Sequence, residues 1–167
     1  MPEPVPEPAA FAAEGGCACR AVRYRLTRPP LIVHGCHCRW CQRETGSALA
    51  INAMVERAGI EVTAGEPEDV LTPSESGNGQ HIHRCPACKV ALWSHYAGAG
   101  PAIAFLRVGT LDEPDRFPPD IHIFTASKQA WLTLPEGVPA VPEYYDARKI
   151  WPPEAIERYK KARKAVG

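Results

Sequence analysis

The pattern of apolar and polar positions predicts short β-strands separated by turns along most of the chain. Several runs alternate apolar with polar residues or are rich in β-branched and aromatic residues, and Pro and Gly residues separate them. The predicted strands are AVRYRL (21–26), ALAINAMV (48–55), GIEVTAG (59–65), HIHRC (81–85), KVALWSHY (89–96), AIAFLRVGTL (102–111) and IHIFTASKQAWLTL (121–134). This arrangement indicates an all-β core and not alternating βαβ units.

Two segments have the pattern of helices. The sequence PPEAIERYKKARKAVG (152–167) begins with two prolines, carries Glu154 and Glu157 in its early turns and has its cations late, which matches the helix dipole. A short helical turn is predicted for QRETGS (42–47). The chain is therefore expected to be mainly β with a short C-terminal helix.

The N-terminal residues differ in composition from the rest of the chain. Residues 1–14 are rich in Pro, Glu and Ala and lack the basic and apolar regions of a secretory signal. We therefore predict a disordered tail over 1–14, a β domain over 15–146 and a helical extension over 147–167. The absence of an export signal predicts a cytoplasmic location.

Charge and hydropathy argue against two classes of partner. The 167 residues include 19 basic and 19 acidic side chains, so no overall field attracts nucleic acid or an anionic membrane. No apolar stretch approaches the roughly 20 residues of a membrane span. The basic run RYKKARKAVG (158–167) is typical of a solvated helix face, and Glu154 and Glu157 offset it. Neither membrane nor nucleic-acid binding is expected.

Seven cysteines fall into three clusters and carry the main chemical signal. Because the number is odd and the predicted compartment is reducing, metal binding or catalysis is favoured over a disulfide framework. The clusters are Cys17-x-Cys19, Cys36-x-Cys38-x-x-Cys41 and Cys85-x-x-Cys88. The two pairs together supply four thiolates, the number in a closed zinc site, and the remaining three leave one position open for chemistry.

The four-cysteine set is expected to have cations beside it, and the three-cysteine set needs a fourth ligand or an open position. A zinc ion with four thiolates carries a formal charge of −2, and three cations flank the two pairs. They are Arg20, Arg84 and Lys89. The three-cysteine set has two alternatives. In the first a histidine closes the site, and in the second the three cysteines form a metal-free redox cluster. The candidate histidines are His34, His37, His83 and His95.

Five segments resemble the signature blocks of the glutathione-dependent formaldehyde-activating enzyme family, also described as the centromere protein V family. They occur in the family's order between residues 15 and 146. The segments are GGCACRAVRY, CHCRWCQRETGS, CPACKVALW, RVGTLDEP and DIHIFTASKQAW. The resemblance implies a β-tent, in which stacked antiparallel sheets are clipped together by zinc.

The resemblance also assigns roles to the cysteines. It implies a structural zinc at Cys17, Cys19, Cys85 and Cys88, and a catalytic zinc at Cys36, Cys38 and Cys41. The implied reaction joins glutathione and formaldehyde to give S-hydroxymethylglutathione, and is classed with carbon–sulfur lyases. Arg20 and Lys89 depart from the family, which commonly has Gly at both positions. A positive φ there would strain these residues.

An open zinc site suggests a mechanism that other residues would support. Zinc binds a thiol as its thiolate or polarises a small carbonyl, and either assists a bond between a thiol and an aldehyde. Arg39 is a candidate partner for a substrate carboxylate, and Trp40 for a wall of the pocket. A further candidate neighbour of the zinc is His37. Candidates for proton transfer are Ser47, His95 and His122. The rival interpretation is a zinc-stabilised binding module without catalysis, which a fourth protein ligand would favour.

Overall fold

The computed structural model describes residues 11–166 and is mainly β within that range. Its strands are β1 (Ala13–Gly16), β2 (Arg23–Leu26), β3 (Ile32–Cys36), β4 (Ala50–Glu56), β5 (Ile60–Ala64), β6 (Glu68–Thr72), β7 (Gln80–Arg84), β8 (Ala91–Tyr96), β9 (Ile103–Arg107) and β10 (Ile121–Ile123). Its helices are α1 (Arg39–Thr45), α2 (Ala147–Ile150) and α3 (Pro153–Lys164). Within these residues no helix has the length and apolar character needed to cross a lipid bilayer.

The strands form two sheets. The smaller has the order β1-β2-β5 and the larger β10-β3-β4-β9-β8-β7-β6. All pairs are antiparallel except β10 with β3, where Ile121 lies opposite His34 in a parallel pair. The expected fold class, a mainly β protein with a short C-terminal helix, is confirmed; the expectation of purely antiparallel sheets misses this one edge.

The first strand begins inside the predicted tail. Ala13 and Glu14 pair with Leu26 and Arg25 of β2, because their backbone hydrogen bonds complete the edge of the smaller sheet. The strand β1 thus begins two residues before the boundary predicted at residue 15. Residues 1–10 of the predicted tail lie outside the described residues.

One apolar core lies between the two sheets. Tyr24 and Leu26 of the smaller sheet are fully buried against Ala53, Trp93 and Leu106 of the larger sheet. Tyr24 and Trp93 meet edge to face, with 5.9 Å between ring centroids. This geometry suits the quadrupoles of the two rings.

A second core lies on the other face of the larger sheet, beneath α3. Trp151 and Ala155 pack there with Met54 and Ile103. The predicted C-terminal helix is confirmed, and one residue of its basic run makes a contact that holds the helix to the larger sheet. Arg158 donates to both carboxylate oxygens of the buried Glu56 at 2.9 and 2.7 Å.

Two predicted strands are shorter than their apolar patterns suggested. The strand predicted over 102–111 ends at Arg107, and a 3-10 turn follows at 108–110. The strand predicted over 121–134 ends at Ile123, because Phe124 has φ 54° in the left-handed region and a 3-10 turn follows. The region after Ile123 therefore forms loops around the site described next.

Candidate metal centres

The four outer cysteines come together in one cluster, which we call the four-cysteine cluster. Their sulfur atoms all lie within 4.8 Å of one another. Cys17 and Cys19 are 3.5 Å apart and Cys19 and Cys85 are 3.7 Å apart. Two sulfurs bound tetrahedrally to one zinc at 2.3 Å would be about 3.8 Å apart. The cluster can therefore hold a metal ion, and its spacing and thiolate chemistry fit zinc.

Each half of this cluster is a tight turn whose last residue is left-handed. Arg20 and Lys89 both have φ 63°. Their backbone N–H groups donate to the carbonyls of Cys17 and Cys85 at 3.1 and 2.9 Å, which closes the turns. A positive φ is thus present at both positions where the family commonly has Gly. Each costs about 1 kcal/mol relative to a glycine.

The expected counter-charges of this cluster are largely engaged elsewhere. Arg84 pairs with the carboxylate of Glu44, and Lys89 pairs with Glu68 at 2.8 Å. Backbone groups act on the sulfurs instead. The Val22 N–H donates to Cys17 Sγ at 3.3 Å. Arg84 and Lys89, two of the three cations expected beside this cluster, therefore have carboxylate partners in the described structure.

The other three cysteines form the three-cysteine cluster, where β3 meets α1. Cys36 ends the strand, Cys38 caps the helix and Cys41 lies in its first turn. Their sulfurs also lie within 4.8 Å of one another. The Cys41 N–H donates to Cys38 Sγ at 3.3 Å. Hydrogen bonds from the Cys36 and Cys41 thiols lower the pKa of Cys38.

No further ligand completes this cluster among residues 11–166. His34 and His37 lie beside it in sequence but have other partners. His34 Nε2 is 2.6 Å from the Tyr145 hydroxyl, and His37 Nε2 is 3.0 Å from His122 Nδ1. Burial lowers the pKa of both His34 and His37 to about 4, so each ring is neutral at pH 7.

The two histidines of β7 and β8 are also not ligands of the cluster. His83 stacks on Trp93 with 5.1 Å between ring centroids. His95 Nδ1 donates to the carbonyl of Ile103 at 2.7 Å. The hypothesis that a histidine closes the three-cysteine site is therefore wrong for the described residues, because each candidate ring is held by its own strand or by a neighbouring loop.

The three-cysteine cluster lies in the wall of a cavity of about 820 Å³. Arg39 and Trp40 line this cavity, as the sequence suggested. The other four candidates do not line it, since they lie in neighbouring elements or behind the wall. They are His37, Ser47, His95 and His122.

The sequence named His34 only as a candidate ligand and did not indicate two other polar residues on the floor of the cavity, Asn52 and Arg107. His34, Asn52 and Arg107 lie side by side on β3, β4 and β9, and all three line the cavity. A signal was present, because each is a polar residue in a mostly apolar strand. Only the strand register brings the three together.

Fold and site together define a class of protein: a mainly β protein with two cysteine clusters able to hold metal ions. Residues 12–127 match the family model described as glutathione-dependent formaldehyde-activating enzyme. The chain belongs to this family, which confirms the resemblance found in the sequence.

A named protein and a solved structure are among those similar to this chain. A Halomonas elongata protein named "Putative glutathione-dependent formaldehyde-activating enzyme" is 26% identical over 126 residues, which cover 72% of this chain and 80% of that protein. A crystal structure of a Rhodobacter sphaeroides protein aligns with 59% of this chain and 87% of its own, with 21% identity and a TM-score of 0.45.

Proposed function

We propose that this protein is a zinc-dependent enzyme of the carbon–sulfur lyase type. It joins or cleaves a bond between a glutathione-like thiol and a small aldehyde at Cys36, Cys38 and Cys41. The observation that carries the proposal is a set of three thiols in a cavity wall, with no fourth ligand among the described residues. A three-ligand zinc keeps a position for an exchangeable group, whereas a closed site does not.

The four-cysteine cluster has a structural role in this proposal. Cys17, Cys19, Cys85 and Cys88 supply the complete thiolate set of a closed zinc site, and thiolates favour zinc over hard cations. Cys19 and Cys85 are 66 residues apart in sequence. A metal there ties the turn between β1 and β2 to the turn between β7 and β8.

The residues around the three-cysteine cluster would bind and orient the substrates. A zinc ion bound there would supply a Lewis acid that holds a thiol as its thiolate or polarises a small carbonyl. Aromatic side chains form much of the cavity wall and restrict water, among them Trp40, Phe105 and Tyr144. Arg39, an exposed residue of the lining, is available to a substrate carboxylate.

The test compares zinc content and glutathione binding in the wild type and Cys38→Ser, with circular dichroism to monitor folding. We expect Cys38→Ser to stay folded, lose one zinc per chain and lose glutathione binding. Ser47→Ala, outside the cavity, is the matched control and should change none of the three readouts. A folded Cys38→Ser that lacks one zinc and binds glutathione as tightly as the wild type would favour the non-catalytic binding module.

A further inference from the structure

Three buried polar side chains form a row across the cavity floor, which we call the donor row: His34, Asn52 and Arg107. They are only 1%, 4% and 7% exposed. His34 lies opposite Asn52 in the β3–β4 pair, and Asn52 lies opposite Arg107 in the β4–β9 pair. Neighbouring strands are about 4.8 Å apart, so the row is about 10 Å long.

Arg107 and Asn52 have hydrogen-bond donors without partners among residues 11–166. An arginine can only donate, and Arg107 Nη1 donates to Asn52 Oδ1. This bond uses the amide oxygen of Asn52, so the NH2 group of Asn52 can still donate to a ligand. Arg107 Nε is buried and has no partner among residues 11–166. An unpaired buried donor on a cation is costly, which indicates that something else satisfies it.

His34 also lines the cavity, and the contacts of its Nε2 atom assign the ring hydrogen to Nδ1. The Trp151 indole N–H can only donate, and it donates to the Tyr145 hydroxyl oxygen at 2.7 Å. We assign the Tyr145 hydroxyl hydrogen to His34 Nε2, 2.6 Å away. With Nε2 as the acceptor, the neutral ring carries its hydrogen on Nδ1.

Among residues 11–166, no carboxylate is hydrogen-bonded to the donor row. Three carboxylates line the same cavity. Glu44 is paired with Arg84, and Glu75 and Glu143 are exposed. None of the three makes a hydrogen bond to the row in the described structure. The floor of the cavity is therefore a set of buried donors with one full positive charge.

We propose that the donor row binds a carboxylate of the same ligand whose thiol reaches the three-cysteine cluster; this rests on the proposed function. His34 and Cys36 are two residues apart on one face of β3, about 7 Å along the strand. Arg107 lies two strands across. A thiol-containing peptide can span from the cluster to the row. The site is thus built for thiols that carry a carboxylate, and it discriminates against neutral thiols.

The first test needs no variant. Calorimetry on the zinc-loaded full chain compares glutathione with its diester, in which both carboxylates are neutral. We expect the diester to bind about tenfold more weakly or worse, the effect of losing a charge-assisted hydrogen bond. Equal affinities for glutathione and the diester would overturn the proposal.

The second test changes the charge of the row but not its shape. Asn52→Asp keeps an oxygen for Arg107 and adds a negative charge on the floor. It should weaken glutathione binding about tenfold and leave diester binding within about twofold. Thr63→Asp, on the exposed face of the smaller sheet, adds the same charge elsewhere and should change neither. Arg107→Gln, with exposed Arg25→Gln as its control, repeats the test if Asn52→Asp does not fold.

S-methylglutathione separates this proposal from the proposed function, because its sulfur cannot bind as a thiolate. Its binding should be weakened by Asn52→Asp and be unaffected by Cys38→Ser. If glutathione binding requires Cys38 but ignores Asn52→Asp, the donor row is wrong and the proposed function stands. If Arg107→Gln lowers zinc content and leaves the glutathione-to-diester ratio unchanged, Arg107 is a counter-charge for the thiolates and the proposal is overturned. Failure of glutathione to bind the wild type would contradict both.

Discussion

The two cysteine clusters of this protein have similar ligands and opposite architectures. The four-cysteine cluster joins two turns far apart in sequence and belongs to the core between the sheets. The three-cysteine cluster comes from residues 36–41 alone and belongs to the core beneath α3. A metal in the first cluster constrains the fold, whereas a metal in the second constrains one short segment. This difference is the basis of our proposal that separate sites carry stability and chemistry.

The largest effect should come from breaking the four-cysteine cluster. Structural zinc contributes on the order of 10 kcal/mol to the folding of small metal domains, comparable with the roughly 5–15 kcal/mol net stability of a typical domain. Cys85→Ser should therefore give insoluble or unfolded protein, whereas Cys38→Ser stays folded. Soluble yield, circular dichroism and zinc content are the measurements. A soluble Cys85→Ser protein with unchanged melting and zinc content would contradict the structural role.

The next effect concerns the helix that covers the second core. Glu56 is buried and accepts two hydrogen bonds from Arg158 of α3. Burial acts to raise the pKa of Glu56. The hydrogen bonds and charge of Arg158, a backbone hydrogen bond and the charge of Arg28 together outweigh it and leave the pKa below its ordinary value of 4.5. Its contribution is therefore present above pH 4.5 and is lost as the pH falls through the lowered pKa.

Glu56→Gln should consequently lower the free energy of unfolding by about 2 kcal/mol at pH 7. The difference from wild type should shrink as the pH falls below the lowered pKa. Urea unfolding at several pH values measures both. Glu157→Gln, an exposed carboxylate on the same helix, should cost less than about 0.5 kcal/mol. A cost for Glu56→Gln that stays constant between pH 7 and pH 3 would contradict the ion-pair explanation.

A smaller effect is expected from the difference between the two clusters in their affinity for zinc. The three-cysteine cluster lacks a fourth thiolate, so its zinc should be released first to a chelator or at mildly acid pH. Chelator titration of the two-zinc protein, followed with a metal indicator, should show two phases. Circular dichroism should change only in the second phase. Release of both ions in one phase would contradict the difference between the sites.

The smallest effect lies in the turns of the four-cysteine cluster. Arg20→Gly removes the left-handed strain of a residue with φ 63°. The gain is about 1 kcal/mol in the folded state, and the greater freedom of glycine in the unfolded chain offsets part of it. We expect the melting temperature to rise by about 1–2 °C. Arg25→Gly, in the extended backbone of β2, is the matched control and should lower it. A fall for Arg20→Gly as large as for Arg25→Gly would show that the turn carries no strain.

The sequence predicted those parts of the molecule that depend on local pattern. Each half of the four-cysteine cluster is a short motif, and so is the whole three-cysteine cluster. Strands such as β2, β4 and β8 have clear β patterns. Three strands escaped prediction. The glycine-rich AEGG of β1, the cysteine-bearing IVHGC of β3 and the polar EDVLT of β6 become strands through pairing with their neighbours.

The donor row could not be predicted, because it exists only through register. His34, Asn52 and Arg107 are far apart in sequence, and a shift of one residue in β4 would turn Asn52 to the other face of the sheet. The cavity likewise depends on a backbone feature: Phe124 has a left-handed φ in a stretch whose apolar pattern predicted a continuing strand. Such features follow from tertiary packing and not from local propensity.

The central claim is one closed and one open zinc site in the same chain. Anomalous difference density at the zinc edge, from crystals of the zinc-loaded full chain, tests it most directly. The account predicts two peaks, one bound by Cys17, Cys19, Cys85 and Cys88, and a second bound by Cys36, Cys38 and Cys41 with a non-protein ligand facing the cavity. A fourth protein ligand at the second peak, or no peak there in zinc-saturated protein, would contradict it.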